Sequence, residues 1–217
     1  MRLVPDINVA QVFIAFTVLL FSLTVHEMAH AWTASRLGDN TARRLGRVSF
    51  NPLVHADPIG TVLFPLLALI GNVPLIGWAK PVPVNVSRLR NGRRDYVAVA
   101  AAGPLSNIVI AFTAAAALSV FPPVSPVMLG EPNLTAPLAM LLSRAVQLNL
   151  LLAVFNLLPI PPLDGANVLG GLLPSNLAAA FDRLKPYGFF VLYALLLTGG
   201  FEYLVLPPYL LLRSWLP

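Results

Sequence analysis

The sequence predicts an all-α polytopic membrane protein with about four full transmembrane helices. A broken apolar segment that re-enters on one face and a small β-strand or extended element complete the prediction. Three observations lead there. Of 217 residues 57% are hydrophobic, and mean hydropathy is +0.77, which places the chain outside the ordinary globular range. Apolar runs of about 20 residues recur, long enough to cross a hydrocarbon core of about 30 Å. Charged residues are only 11% of the chain, and the basic ones cluster between the runs, a pattern of membrane topology rather than of nucleic-acid binding. With no cysteine, disulfides and thiolate metal sites are excluded. The whole chain, 1–217, reads as one membrane-embedded domain, with a core of about 9–175 and a last span and interfacial tail in 176–217.

The first helix is expected from about Val9 to Leu37, with Gly38 as its stop and Arg36 at the water interface. Its apolar run is too long for a signal peptide and lacks a small-residue cleavage site, so it reads as a retained span. Residues 39–57 hold Arg43, Arg44 and Arg47, an alternating Leu45–Phe50 that permits a short strand, and Asn-Pro and Asp-Pro turns. The apolar stretch 59–79 is interrupted by Gly60, Pro65, Gly71, Asn72, Pro74 and Gly77. Broken segments of this kind are tolerated at membrane depth when packed in protein or lining a cavity. A proline-rich, extended piece around 79–86 and four arginines follow. Spans are then expected at about Tyr96–Val120, Leu138–Leu158 and Tyr187–Leu206, with a short helix at about Ala166–Leu173 and an interfacial tail anchored by Arg213 and Trp215.

Near the end of the first run stands Val25-His26-Glu27-Met28-Ala29-His30. The H-E-x-x-H spacing puts both imidazoles on one helix face with the carboxylate beside them. In a soluble core two such histidines would be ordinary hydrogen-bonding residues. In hydrocarbon, three polar groups on adjacent turns need a strong common partner, and Zn2+ supplies one. Catalytic zinc takes three protein ligands and leaves a position for water. On chemistry alone the third ligand is either His55, the remaining histidine, or Asp164, a carboxylate at the end of an apolar span that would otherwise cap the following helix.

Three motifs in order carry a resemblance: H-E-M-A-H on the first apolar helix, A-A-G-P-L-S-N on a middle one, and N-L-L-P-I-P-P-L-D-G ending the next. Over roughly residues 15–175 the chain resembles the site-2 protease family of intramembrane zinc metalloproteases. The stretches F-N-P-L-V-H-A-D-P-I-G-T and G-W-A-K-P-V-P-V-N are similar to its short branch, which lacks PDZ and CBS domains. The resemblance implies Asp164 as third ligand, Asn156 facing the site, one Zn2+ per chain and membrane-anchored protein or peptide substrates in regulated intramembrane proteolysis.

Depth supports Asp164 independently. His30 and Asp164 both lie at the C-terminal ends of their spans, so they meet only if those spans run in the same direction, with an odd number of crossings between. The 59–79 stretch is therefore expected to enter and leave on one face. The basic clusters then share a side, which the positive-inside rule makes cytoplasmic, and the site lies nearer that face of the cell membrane. Glu27, adjacent to the metal, is expected to serve as general base, and the Asn156 amide as an oxyanion donor. Asn107 is read as an interhelical hydrogen-bonding residue beside Gly103 and Ser106; His55 is read as a loop histidine outside the membrane, with a supporting or gating role near the metal as the lesser alternative. The rival reading is a metal-ion transporter or channel built on the same His/Glu/Asp cluster.

Overall fold

The computed structural model describes residues 9–64, 67, 78–120 and 135–216. Its first element, α1 (Val9–Arg36), ends within a residue of expectation, because Gly38 takes φ +115° and the chain turns back. The Asp39 N–H then bonds Ala34 O at 2.9 Å. A one-turn helix, α2 (Thr41–Arg44), follows. After it come α3 (Arg93–Ser119), α4 (Thr135–Asn156), α5 (Asp164–Leu172), α6 (Ser175–Asp182), α7 (Gly188–Leu197) and α8 (Gly200–Ser214). Three of these, α1, α3 and α4, are long and apolar enough to cross a membrane, or four spans result if the bent α6–α8 pair counts as one.

The three spans form a bundle whose directions can be read from its contacts. Along α1 and α3 the numbering runs oppositely: His30 meets Val99, while Ser22 meets Asn107. Along α1 and α4 it rises together, since Val18 shares a cluster with Ala145, Val146 and Leu150, and Ser22 meets Asn149. So α1 and α4 are parallel and α3 is antiparallel to both. Alanines supply the contact surface of α3 (Ala111, Ala114, Ala115), and small side chains let apolar helices approach where lipid removes the hydrophobic drive to associate.

Two expectations change. The last apolar region is not one straight span: α7 stops at Leu197, Gly199 adopts φ +73°, and the chain turns by 86° into α8. The consecutive glycines Gly199 and Gly200 permit that corner, and α8 continues through Pro207 and Pro208 to Ser214. No strand forms among the described residues. Residues 45–50 make a turn and bends, because the Arg47 N–H closes back on Ala42 O and its side chain is drawn inward to Val54 O.

The interior of the broken apolar stretch, 65–66 and 68–77, lies outside the described residues. Its two ends meet, however: the Trp78 N–H donates to Gly60 O at 3.1 Å, and the Thr61 hydroxyl to Trp78 O at 2.8 Å. From Trp78 to Asn85 the chain runs extended, as a strap across the end of the bundle. It is fastened by Lys80 N–H on His55 O, by the Arg47 guanidinium on Lys80 O, and by Asn85 N–H on the Asp39 carboxylate at 2.6 Å.

Candidate metal centre

His26 and His30 are both buried on one face of α1, with their rings edge to face and centroids 4.7 Å apart. The helix alone does not aim them; α3 does. His30 Nδ1 lies 2.7 Å from Val99 O, which can only accept, so that nitrogen carries the proton. His26 Nδ1 lies 2.6 Å from Asn107 Oδ1. In neutral rings both Nε2 atoms are then left as lone-pair donors, 3.1 Å apart.

Asp164 completes the group. The turn Leu157–Leu163 reverses the chain after α4, and Gly165 makes the turn possible: a side chain there would overlap the Leu157 carbonyl. Asp164 Oδ2 sits 3.1 Å from His26 Nε2 and 3.3 Å from His30 Nε2. Three lone-pair atoms at such separations repel unless a proton or a metal ion lies among them. A tetrahedral ion with ligand bonds near 2.0–2.1 Å has ligand–ligand edges of about 3.3 Å, so the residues present fit zinc. The His/His/Asp donor set is also the borderline type that zinc takes.

Close packing of α3 on the rings depends on Gly103. A Cβ there would lie 2.6 Å from His26 Nε2 and nearer still to His30 Nε2. Beside the cluster, Glu27 is half-buried, and its Oε2 accepts the Val82 N–H at 3.0 Å. Within Lys80-Pro81-Val82-Pro83-Val84 the flanking prolines have no N–H, which leaves Val82 as the central donor.

Among the described residues, the group able to hold a metal is His26, His30 and Asp164. His55 is not part of it: it is buried, with Nε2 on Ser49 O at 2.9 Å. Burial, with the Arg47 charge adding to it, pushes the His55 pKa below its ordinary value. Asn156 ends α4 with its amide nitrogen on Leu152 O at 3.0 Å. Asn107, read from sequence as an interhelical hydrogen-bonding residue, does bond across the bundle to Ser22 and Asn149, and its partner on α1 is also His26 of the candidate metal group. Two further residues were not singled out as site residues: Asn149, which bonds Asn107 at 2.7 Å, and Arg47, which sequence marks only as a topological charge.

A helical bundle with three apolar spans and a His/Glu/His helix converging on a distant carboxylate defines a membrane zinc metallopeptidase. Comparison with known proteins agrees. The family model for peptidase family M50 matches residues 123–199. YwhC of Bacillus subtilis (strain 168), provisionally named a zinc metalloprotease, is 38% identical over 189 residues, covering 87% of this chain and 82% of its own. Rip2 of Mycolicibacterium smegmatis and Rip2 of Mycobacterium tuberculosis (strain H37Rv), similarly named, are 32% and 33% identical over 181 residues, covering 82% of this chain and 64% of theirs. No solved structure matches the chain. The chain belongs to peptidase family M50, the site-2 proteases.

Proposed function

We propose that this chain hydrolyses peptide bonds within or near transmembrane segments of membrane-anchored proteins, with one zinc ion per chain held by His26, His30 and Asp164. The observation that carries the reading is the meeting of three lone-pair atoms inside the bundle, beside a carboxylate with no such ligand role. Bound there, zinc supplies a Lewis acid that polarises a water and a peptide carbonyl. Glu27 takes the proton of the attacking water and returns it to the leaving amine nitrogen. The Asn156 amide, released from Leu152 O, donates to the developing oxyanion. Val82 N–H holds the Glu27 carboxylate in its rotamer meanwhile.

A peptide is cleaved only when extended, and a transmembrane helix hides its carbonyls in internal hydrogen bonds. The strap 78–85 and the segment 45–50 would take an unwound substrate by strand addition, forming on binding the β-structure that the described residues lack. The meeting of Gly60 and Trp78 supports a 59–79 stretch that enters and leaves on one face. That end of the bundle carries Arg36, Arg43, Arg44, Arg47, Lys80, Arg88, Arg90, Arg93 and Arg94. It is thus the cytoplasmic end, and the metal centre lies roughly 10 Å below it, six residues before Arg36 at about 1.5 Å each. Residues 1–217 act as one catalytic unit.

The test is purified protein in proteoliposomes with a single-span peptide substrate. Cleavage that is lost on chelation, restored by zinc and abolished by Glu27→Gln supports the reading. Zinc flux across the vesicle wall without peptide cleavage would replace it with a transporter.

A further inference from the structure

Asn107 and Asn149 are both fully buried in the bundle, and the sequence of their hydrogen bonds fixes more than packing. The Ala145 carbonyl is an acceptor only, and it fixes the first link. Asn149 Nδ2 lies 2.8 Å from it, so the Asn149 amide must turn its NH2 that way. The same nitrogen reaches Ser22 Oγ at 2.9 Å, and both its hydrogens are then engaged. Asn149 Oδ1 is left facing Asn107 at 2.7 Å and can only accept, which turns the Asn107 NH2 toward it. The backbone carbonyl of Ser22, 3.5 Å from Asn107 Nδ2, favours the same orientation. Asn107 Oδ1 therefore faces His26 Nδ1, at 2.6 Å, and His26 carries its proton there. His30 needs no such relay, because Val99 O acts on it directly.

We propose that Asn149 is a positioning residue: acting through Asn107, it selects the Nδ1–H tautomer of His26 and so leaves Nε2 free to bind a cation. The proposal rests on the metal-centre reading above and assigns the direction of the relay to a residue that touches neither metal nor substrate. An amide has two faces of nearly the same shape. Without an acceptor at 149, Asn107 is free to turn over and present NH2 to His26 Nδ1, which moves the ring proton to Nε2, where it competes with the metal. Partners of metal-binding histidines typically account for 10–100-fold in affinity.

The experiment is zinc affinity of the full-length protein in detergent, by chelator competition, with thermal stability of the metal-free protein measured alongside. Asn149→Leu removes the acceptor and should weaken zinc binding by about 10- to 100-fold. Asn149→Asp keeps an acceptor toward Asn107 and should stay within about threefold of the parent, well below that range. The decisive variant is the double Asn107→Asp/Asn149→Leu. Its carboxylate accepts from His26 Nδ1 in either orientation, so it should recover the affinity lost in Asn149→Leu. Asn149→Ala carries the same expectation as Asn149→Leu where the larger side chain does not pack. In the metal-free protein, 15N shifts of His26 should report Nδ1–H in the parent and a tautomer mixture in Asn149→Leu. Parent-like zinc affinity in both Asn149→Leu and Asn149→Ala, or affinity that follows thermal stability with no recovery in the double variant, would overturn the relay and leave the metal centre standing. A parent protein that binds no zinc would overturn both.

Discussion

Replacing Gly103 by alanine adds one methyl group where α3 touches the two imidazoles, and its effect can be worked from the geometry. The new Cβ would lie 2.6 Å from His26 Nε2, against a carbon–nitrogen contact of roughly 3.5 Å. About 1 Å must come from withdrawing α3 or rotating the rings, whereas metal sites tolerate ligand errors of about 0.2 Å. Neither adjustment is free: Val99 and Asn107, which hold the rings, are on the same helix. Overpacking of this kind costs about 1–3 kcal/mol. If that cost falls on the metal-competent arrangement, zinc affinity drops about 5- to 150-fold. Turnover at saturating zinc should fall further, since a misplacement of about 1 Å at a reacting centre costs about 100-fold. Chelator competition measures the first and cleavage of a single-span peptide in proteoliposomes the second. A Gly103→Ala protein with parent-like zinc affinity and parent-like turnover would refute the close approach of α3.

Glu27→Gln should lower cleavage by at least about 100-fold with metal content unchanged; elemental analysis and the peptide assay together check this. Asp164→Ala leaves two imidazoles and should release zinc under conditions where the parent retains it, seen by equilibrium dialysis. Val82→Pro deletes the N–H that reaches Glu27 and should lower kcat by about tenfold, the equivalent of roughly 1.4 kcal/mol for one charge-assisted hydrogen bond. Val82→Ala keeps that donor and should retain most activity; equal loss in both variants would show that the side chain, not the amide, matters. At Asp39, burial would raise the carboxyl pKa, but hydrogen bonds from Thr41 and Asn85 outweigh it and hold the value below the ordinary carboxylate range. The strap anchor is therefore fully present above the ordinary value and lost as pH falls through the lower folded one. Amide exchange at Asn85, corrected for the intrinsic pH dependence, should accelerate in that acid window and in Asp39→Asn already at neutral pH.

Much of the bundle was legible because its signals are local. Helix α1 has an uninterrupted apolar run and a glycine stop, and H-E-x-x-H spacing is a property of one helix face. The direction of α4 relative to α1 also followed from sequence, since two ligands near span ends can meet only when the spans are parallel. What escaped depends on distant partners. Asn149 sits in an apolar run with nothing in its neighbourhood to show that a second buried amide faces it across the bundle. Arg47 reads as one of several loop arginines, and only the folded chain shows its guanidinium turned inward to Val54 O and Lys80 O. The alternation at 45–50 suggests a strand, but that inward turn takes the backbone away from any pairing partner. The corner at Gly199 is hidden in the sequence because an apolar composition continues on both sides of it.

On the proposed ligand set the third ligand comes from far along the chain, and this bears on how the protein is made. Asp164 lies 134 residues after His30, so at roughly 5–20 residues per second about 7–27 s of synthesis separate them. Throughout that interval the growing polypeptide carries the two imidazoles without the carboxylate. On the proposed ligand set the donor group is complete only once Asp164 has been made, so a product truncated before it would lack the third ligand.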